Sequence, residues 1–178
     1  MTARTLKSNL QVLPHVHKIN TGFGIVYMNI GLFLIVLGIG MYVPAIVDAV
    51  QSNQDWQVFA ICGSLVTFIG GMLFLSSKNN YTTLSVKQGF LITTSTWIAV
   101  PLMGCLPFIF SDLQLSFTEA FFEAMSGVTT TGSTVITGLD GLPPGILLWR
   151  SLLQWLGGVG IIAMGVAIMP LLQVGGMQ

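Results

Sequence analysis

Charge is what this sequence has least of. Six lysines and arginines and six aspartates and glutamates make up 7% of 178 residues, against about 25% in a soluble domain, which excludes a soluble globular fold. The basic residues form no cluster and the net charge is zero, so there is no electrostatic footprint for nucleic acid. Cysteine is almost missing too. Cys62 and Cys105 both sit in apolar runs, which indicates neither a disulfide framework nor a zinc site. No Ser/His/Asp, Cys/His or paired-carboxylate set falls at one membrane depth, so an enzyme is a distant reading, and no cofactor is called for.

The scarce charges punctuate what is abundant. Apolar residues make up 53% of the chain, and 29 uncharged residues separate Lys18 from Asp48, 22 separate Asp55 from Lys78, 24 separate Lys87 from Asp112, and 28 follow Arg150. Each gap holds the ~20 residues that cross a ~30 Å hydrocarbon core. The expected fold is therefore all-α and integral to the membrane, with four transmembrane helices: 22–47, 56–75, 88–110 and 145–169. The first run exceeds the ~7 to 15 apolar residues of a secretory signal and is read as a permanent span. Trp56 stands where an interfacial aromatic belongs. Pro101 and Pro107 interrupt the third span, where a kink near Pro101 is expected.

Orientation follows from the basic residues. With a cytoplasmic N-terminus, Arg4, Lys7, Lys18, Lys78 and Lys87 lie inside, while Asp48, Asp55, Asp112, Glu119, Glu123 and Asp140 lie outside. This obeys the positive-inside rule. Arg150, near the outer end of the fourth span, either snorkels to the interface or pairs with Glu123 or another outer carboxylate.

Between the third and fourth spans the pattern changes. Phe117, Ala120, Phe121, Ala124 and Met125 recur at helical spacing, but a helix of about ten residues spans only ~15 Å and cannot cross the membrane. Gly127 ends it. The run from Val128 to Val135, rich in threonine, then prefers extended backbone before the chain returns to Asp140. Non-helical backbone at membrane depth must be buried by protein or line a watery cavity. Stacked carbonyls that replace a hydration shell suit a monovalent cation. Gly132 permits dihedrals that aim carbonyls inward, and the C-terminal end of the short helix adds negative partial charge. The acidic residues Asp112, Glu119, Glu123 and Asp140 raise the local cation concentration.

The segments FFEAMSGVTTTGST, residues 121–134, and WRSLLQWLGGVGII, residues 149–162, resemble the first pore repeat of the Trk/Ktr potassium transporter family, in its Trk H-type branch. Val174 to Gln178 also resembles the stretch that follows that repeat. The resemblance implies a cytoplasmic tail over 1–20, a transmembrane helix pair over 21–87, a span, pore helix, filter and span over 88–170, and a truncated cytoplasmic end over 171–178. It implies that Thr130, Thr131 and Gly132 offer main-chain oxygens to potassium, with Thr129 and Ser133 flanking them. Glu123 and Arg150 then support the pore. Potassium is the transported ion, and the location implied is the bacterial inner membrane, in contact with lipid. The partners implied are the remaining pore repeats of the same protein or further copies of the chain, a homodimer of the full-length protein, and a cytosolic nucleotide-binding regulatory subunit. One repeat supplies one quarter of a filter, so either the chain is a fragment of a roughly fourfold-repeated protein or four copies assemble. A non-conducting membrane scaffold, or a remnant without a closed filter, is the alternative.

Several polar and small residues have plainer readings. Asn29 and Gln154 are expected to hydrogen-bond between helices, and Gly157, Gly158, Gly160 and Gly165 to pack helices closely rather than to hinge. His15 and His17 read as a solvated tail rather than a metal pair.

Overall fold

The computed structural model describes residues 23–77 and 86–171. The tail with His15 and His17, the connection with Lys78, and residues 172–178 lie outside the described residues. Every regular element of the described chain is a helix, and the described residues contain no strand. Its elements are α1 (Phe23–Gly40), α2 (Tyr42–Val50), α3 (Trp56–Ser77), α4 (Val86–Gly104), α5 (Leu106–Phe110), α6 (Phe117–Val128), a 3-10 turn (Leu139–Gly141) and α7 (Pro144–Leu171). Among the described residues four stretches are long and apolar enough to cross a membrane: Phe23–Val50, Trp56–Ser77, Lys87–Phe110 and Pro144–Ala163. These are the four spans read from the charge gaps.

Two spans are each built of two helices. The first breaks at Met41, between α1 and α2, and the third breaks at Cys105. The helix continues through Pro101, with the Cys105 amide still donating to the Pro101 carbonyl. The interruption falls instead ahead of Pro107, the second residue of α5. There the ring occupies a first-turn position that needs no donor.

α1 and α3 approach until their backbones touch. Gly31 faces Gly70 and Gly38 faces Gly63, and in each case a Cβ on either glycine would meet the carbonyl of its partner. Both pairs are spaced seven residues apart, two turns along one helix face, and van der Waals contact between such small residues drives helix association where water supplies no driving force. Asn29 does not take part. Its Nδ2 donates to the Ile25 carbonyl one turn back, 2.8 Å away, so the interhelical bond expected of it is replaced by a bond within its own helix.

The core gathers at the end of the bundle that carries Asp48, Asp55 and Asp112. Met41, Phe59, Cys105, Phe108, Ala120, Ile146 and Trp149 are fully buried there. Phe59 meets Trp149 edge-on, ring centroids 6.3 Å apart, and the Trp149 indole donates to the Gly104 carbonyl at 2.9 Å. Residues of α3 and α4 thus meet one tryptophan of α7, in the same core that takes in Ala120 and Ala124 of the short helix α6.

Candidate functional site

α6 starts on a capping box. The Ser116 amide and hydroxyl both donate to Glu119 Oε2, at 3.0 and 2.6 Å, and the Glu119 amide donates back to Ser116 Oγ. A carboxylate in the first turn also suits the positive end of the helix dipole. These bonds hold the Glu119 carboxyl below the usual glutamate range, the side-chain bond first and the backbone bond second. The Ser-x-x-Glu pattern is a sequence signature of a helix start, and it fixes α6 seven residues after α5 ends.

The far end of α6 closes with the αL geometry usually reserved for glycine. The Thr131 amide donates to the Ser126 carbonyl at 3.0 Å and the Thr130 amide to the Gly127 carbonyl at 2.9 Å, which is the paired 6→1 and 5→2 arrangement of a Schellman cap. Thr130 occupies the left-handed position, at φ +57, where a β-branched residue is an outlier. Gly132 follows at φ +76. The run from Thr129 is therefore not uniformly extended as expected from its composition. It turns twice through positive φ before straightening, because the helix cap imposes its own dihedrals.

Behind this turn the chain is fastened at several points. Ser126 Oγ donates to the Ser133 carbonyl at 2.7 Å. Glu123 Oε1 accepts from Thr134 Oγ1 at 2.5 Å, from the Val135 amide at 2.6 Å and from the Ile136 amide at 3.4 Å. Its other oxygen accepts from Arg150 Nε at 3.0 Å. Glu123 is 2% exposed. It is therefore not one of the surface carboxylates expected to gather cations beside Glu119; Asp112, Glu119 and Asp140 are the exposed ones of that group. Burial is affordable here because four donors surround one carboxylate.

The opposite side of the same backbone is open. Thr130, Thr131, Gly132 and Ser133 are exposed, and the carbonyls of Thr130, Thr131 and Gly132 receive no hydrogen bond from a described residue. Thr129 is half-buried, its hydroxyl donating to the Met125 carbonyl and lying 2.8 Å from the Thr131 hydroxyl. The structure thus brings Thr129 to Ser133 onto one continuous turn and places Glu123 and Arg150 directly behind it. Ser126 and Thr134 complete the fastening, and neither is distinguishable from its hydroxylated neighbours by sequence alone.

α7 supports the turn through its glycines. A Cβ on Gly157 would overlap the Val128 carbonyl, and one on Gly158 would lie 3.8 Å from Thr130 Cγ2. Gly160 and Gly165 meet nothing within 4 Å among the described residues, so close packing accounts for the first two and not for the last two. Gln154 makes no hydrogen bond between helices among the described residues. Its Nε2 stands 3.7 Å from where a Cβ on Gly132 would sit. Among the described residues no cluster of His, Cys, Asp and Glu could hold a metal ion.

Comparison with known proteins places these features in a family. Residues 55–178 match the family TrkH, described as cation transport protein. The chain is 42% identical over 150 residues to the Trk system potassium uptake protein TrkH of Escherichia coli, covering 84% of this chain and 31% of that protein. It is 39% identical over 144 residues to the Trk system potassium uptake protein TrkI of Halomonas elongata, covering 81% and 29%. The crystal structure of the potassium transporter TrkH from Vibrio parahaemolyticus superposes with a TM-score of 0.76 at 38% identity, over 88% of this chain and 34% of that one. The chain spans about a third of the length of the curated relatives it matches. With a family match over more than half its length and four membrane-crossing helices, the chain is a multi-pass plasma-membrane protein and belongs to the TrkH family of cation transport proteins.

Proposed function

We propose that this chain supplies one quarter of a potassium-conducting filter, within a protein that takes up potassium across the plasma membrane. The observation that carries the reading is the asymmetry of the turn from Thr129 to Ser133. One side is fastened by Ser126, Glu123 and Arg150, and the other offers the carbonyls of Thr130, Thr131 and Gly132, which receive no hydrogen bond from a described residue. Unpaired carbonyls at membrane depth are costly unless something polar meets them. A dehydrated potassium ion is such a partner, since ordered carbonyl dipoles replace its water. The helix α6 adds to this by presenting its negative end to the same turn.

The names of the relatives, potassium uptake proteins, favour potassium as the ion. A filter ring needs more oxygens than one turn presents. It is completed by further pore repeats of the same protein or by further copies of the chain, and the full-length protein works as a homodimer with a cytosolic nucleotide-binding regulatory subunit. Asp112, Glu119 and Asp140 draw cations to the entrance.

Rubidium uptake with sodium competition, in the full-length parent protein, tests the reading. Gly132→Ser adds a Cβ at positive φ, which costs of order 1 kcal/mol, and tilts carbonyls whose fit to the ion must be close. Sodium then competes far better than in the parent, whereas Thr134→Ser, which keeps the hydroxyl bonded to Glu123, leaves selectivity at the parental level. If both variants keep parental selectivity, the turn is an ordinary loop. If the parent itself takes up no rubidium, the chain is a scaffold.

A further inference from the structure

The turn is carried by a loop whose two feet lie at Asp112, just before α6, and at Gly145, at the start of α7. Both feet are held by carboxylates, Asp48 near the end of the first span and Asp55 immediately before the second. The Gly145 amide donates to Asp48 Oδ1 at 2.8 Å, and the Asp112 amide donates to Asp55 Oδ1 at 3.2 Å. The acids lie 97 and 57 residues away in sequence from the amides they hold. Asp48 is fully buried and Asp55 is 2% exposed, so these are interior contacts rather than solvated surface bonds.

Each contact answers a local deficit. α7 begins at Pro144 after Pro143, and neither residue has an amide to offer, nor a side chain that could cap. Gly145 carries the first free donor, and a Cβ there would overlap the Asp48 carboxylate. Glycine at 145 is thus what admits a cap from another helix, and a carboxylate suits the positive end of a 28-residue helix. At the other foot Asp55 precedes α3, yet its Oδ1 serves Asp112 across the interface while Asn53 Oδ1 accepts the Asp55 amide. Phe59, four residues after Asp55, and Trp149, four residues after Gly145, meet edge to face.

We infer that Asp48 and Asp55 are positioning residues, through which the first two spans set the placement of the feet of the loop and hence of the carbonyls at its tip. The inference rests on the transport reading above. A loop fastened to its own helix at Ser126 and Glu123 moves as one body, so a shift at either foot is transmitted to Thr130, Thr131 and Gly132. Ion discrimination responds to such a shift before protein abundance does, because the balance against hydration is narrow.

The test compares full-length protein carrying Asp48→Leu, Asp55→Leu or Gly145→Ala with Asp48→Asn and Asp55→Asn. Two quantities are read: folded protein recovered from the membrane, and the sodium concentration that halves rubidium uptake. The asparagines keep an oxygen for the amide, and they retain the parental sodium response. The leucines, and Gly145→Ala, which displaces the Asp48 carboxylate without removing it, leave folded protein near the parental level and let sodium inhibit at severalfold lower concentration. Parental discrimination in all three disruptive variants overturns the inference. Asparagines that behave like the leucines overturn it too, since charge rather than the amide contact is then at work. Loss of folded protein in all three makes the acids folding elements, with no separate positioning role. Absence of selective rubidium uptake in the parent is a failure of the transport reading, recognisable before any variant is compared.

Discussion

Arg150 reaches Glu123 across 27 residues of sequence, Nε to Oε2 at 3.0 Å, while the other oxygen of the same carboxylate accepts from Thr134, Val135 and Ile136. One side chain thus ties α7, α6 and the return of the loop together. The two partners are not equally shielded, with side chains 15% exposed for Arg150 and 1% for Glu123, and this sets unequal consequences for their removal.

Arg150→Gln leaves a carboxylate that has no access to water and has lost its counter-charge, a loss of about 3–5 kcal/mol for a buried pair. Glu123→Gln keeps an oxygen for Thr134 and the two amides, and it leaves a guanidinium that can still turn toward solvent. Thermal unfolding of the purified protein therefore ranks Arg150→Gln below Glu123→Gln, and the double variant recovers part of the loss. Equal destabilisation by the two single changes contradicts the burial argument.

Thr130 is the second point of leverage. Its left-handed backbone, at φ +57, costs a β-branched residue about 1–2 kcal/mol. Thr130→Gly relieves this while giving the unfolded chain more freedom, so the melting temperature is unchanged or rises by a few degrees. Thr130→Pro cannot adopt the dihedral and removes the amide that donates to Gly127, so it prevents the cap from forming, and folded protein is lost. A glycine variant that is as damaged as the proline variant rules out the cap as the reason for the conformation.

The four spans were legible because the hydrocarbon requirement is one-dimensional: a long enough interval without charge is sufficient. The short helix was legible from the spacing of Ala120, Phe121, Ala124 and Met125, although Phe117, counted in the same stripe, is exposed. What stayed hidden depends on neighbours that are distant in sequence. Nothing near Pro144 announces that Asp48 caps its helix. Glu123 looks like a surface residue one turn from Glu119 until the return of the loop covers it. Asn29 illustrates the converse, since its partner is its own helix, at Ile25. The cap at Thr130 was masked by composition, because threonine argues for extended backbone and the αL slot usually holds glycine.

Acidity separates two carboxylates with opposite shifts. Burial pushes the Asp55 carboxyl above the usual aspartate range, opposed in part by the Asp112 amide. The folded state favours its protonated form, so its contribution to stability is fully present below the ordinary aspartate value and is lost as pH rises through the raised one. Glu119 is held low by Ser116, so its contribution is present above the ordinary glutamate value and is lost as pH falls through the lowered one. Melting curves across this range should show Asp55→Asn losing less stability than the parent as pH rises and Glu119→Gln losing less as pH falls. Parallel curves for Asp55→Asn and the parent contradict the burial of an ionised Asp55.

The contact between Gly157 and Val128 is the point at which α7 can move the turn directly. A methyl group at 157 has no space, because the obstacle is the Val128 carbonyl and backbone at the end of a capped helix does not rotate out of the way as a side chain would. Either α7 or α6 has to shift, and overpacking of this kind costs about 1–3 kcal/mol. The shift also carries Thr130, whose Cγ2 lies beside Gly158 one residue further along α7. Gly160 offers the matched control on the same helix, since nothing among the described residues lies within 4 Å of a Cβ there and alanine gains up to about 1 kcal/mol over glycine in a helix. Measured on this chain in lipid nanodiscs, Gly157→Ala lowers the melting temperature and Gly160→Ala leaves it level or raises it. Equal tolerance of both changes means that the backbones of α6 and α7 are further apart in the membrane than the overlap at Val128 requires, and the support given to the turn must then come from Ser126, Glu123 and Arg150.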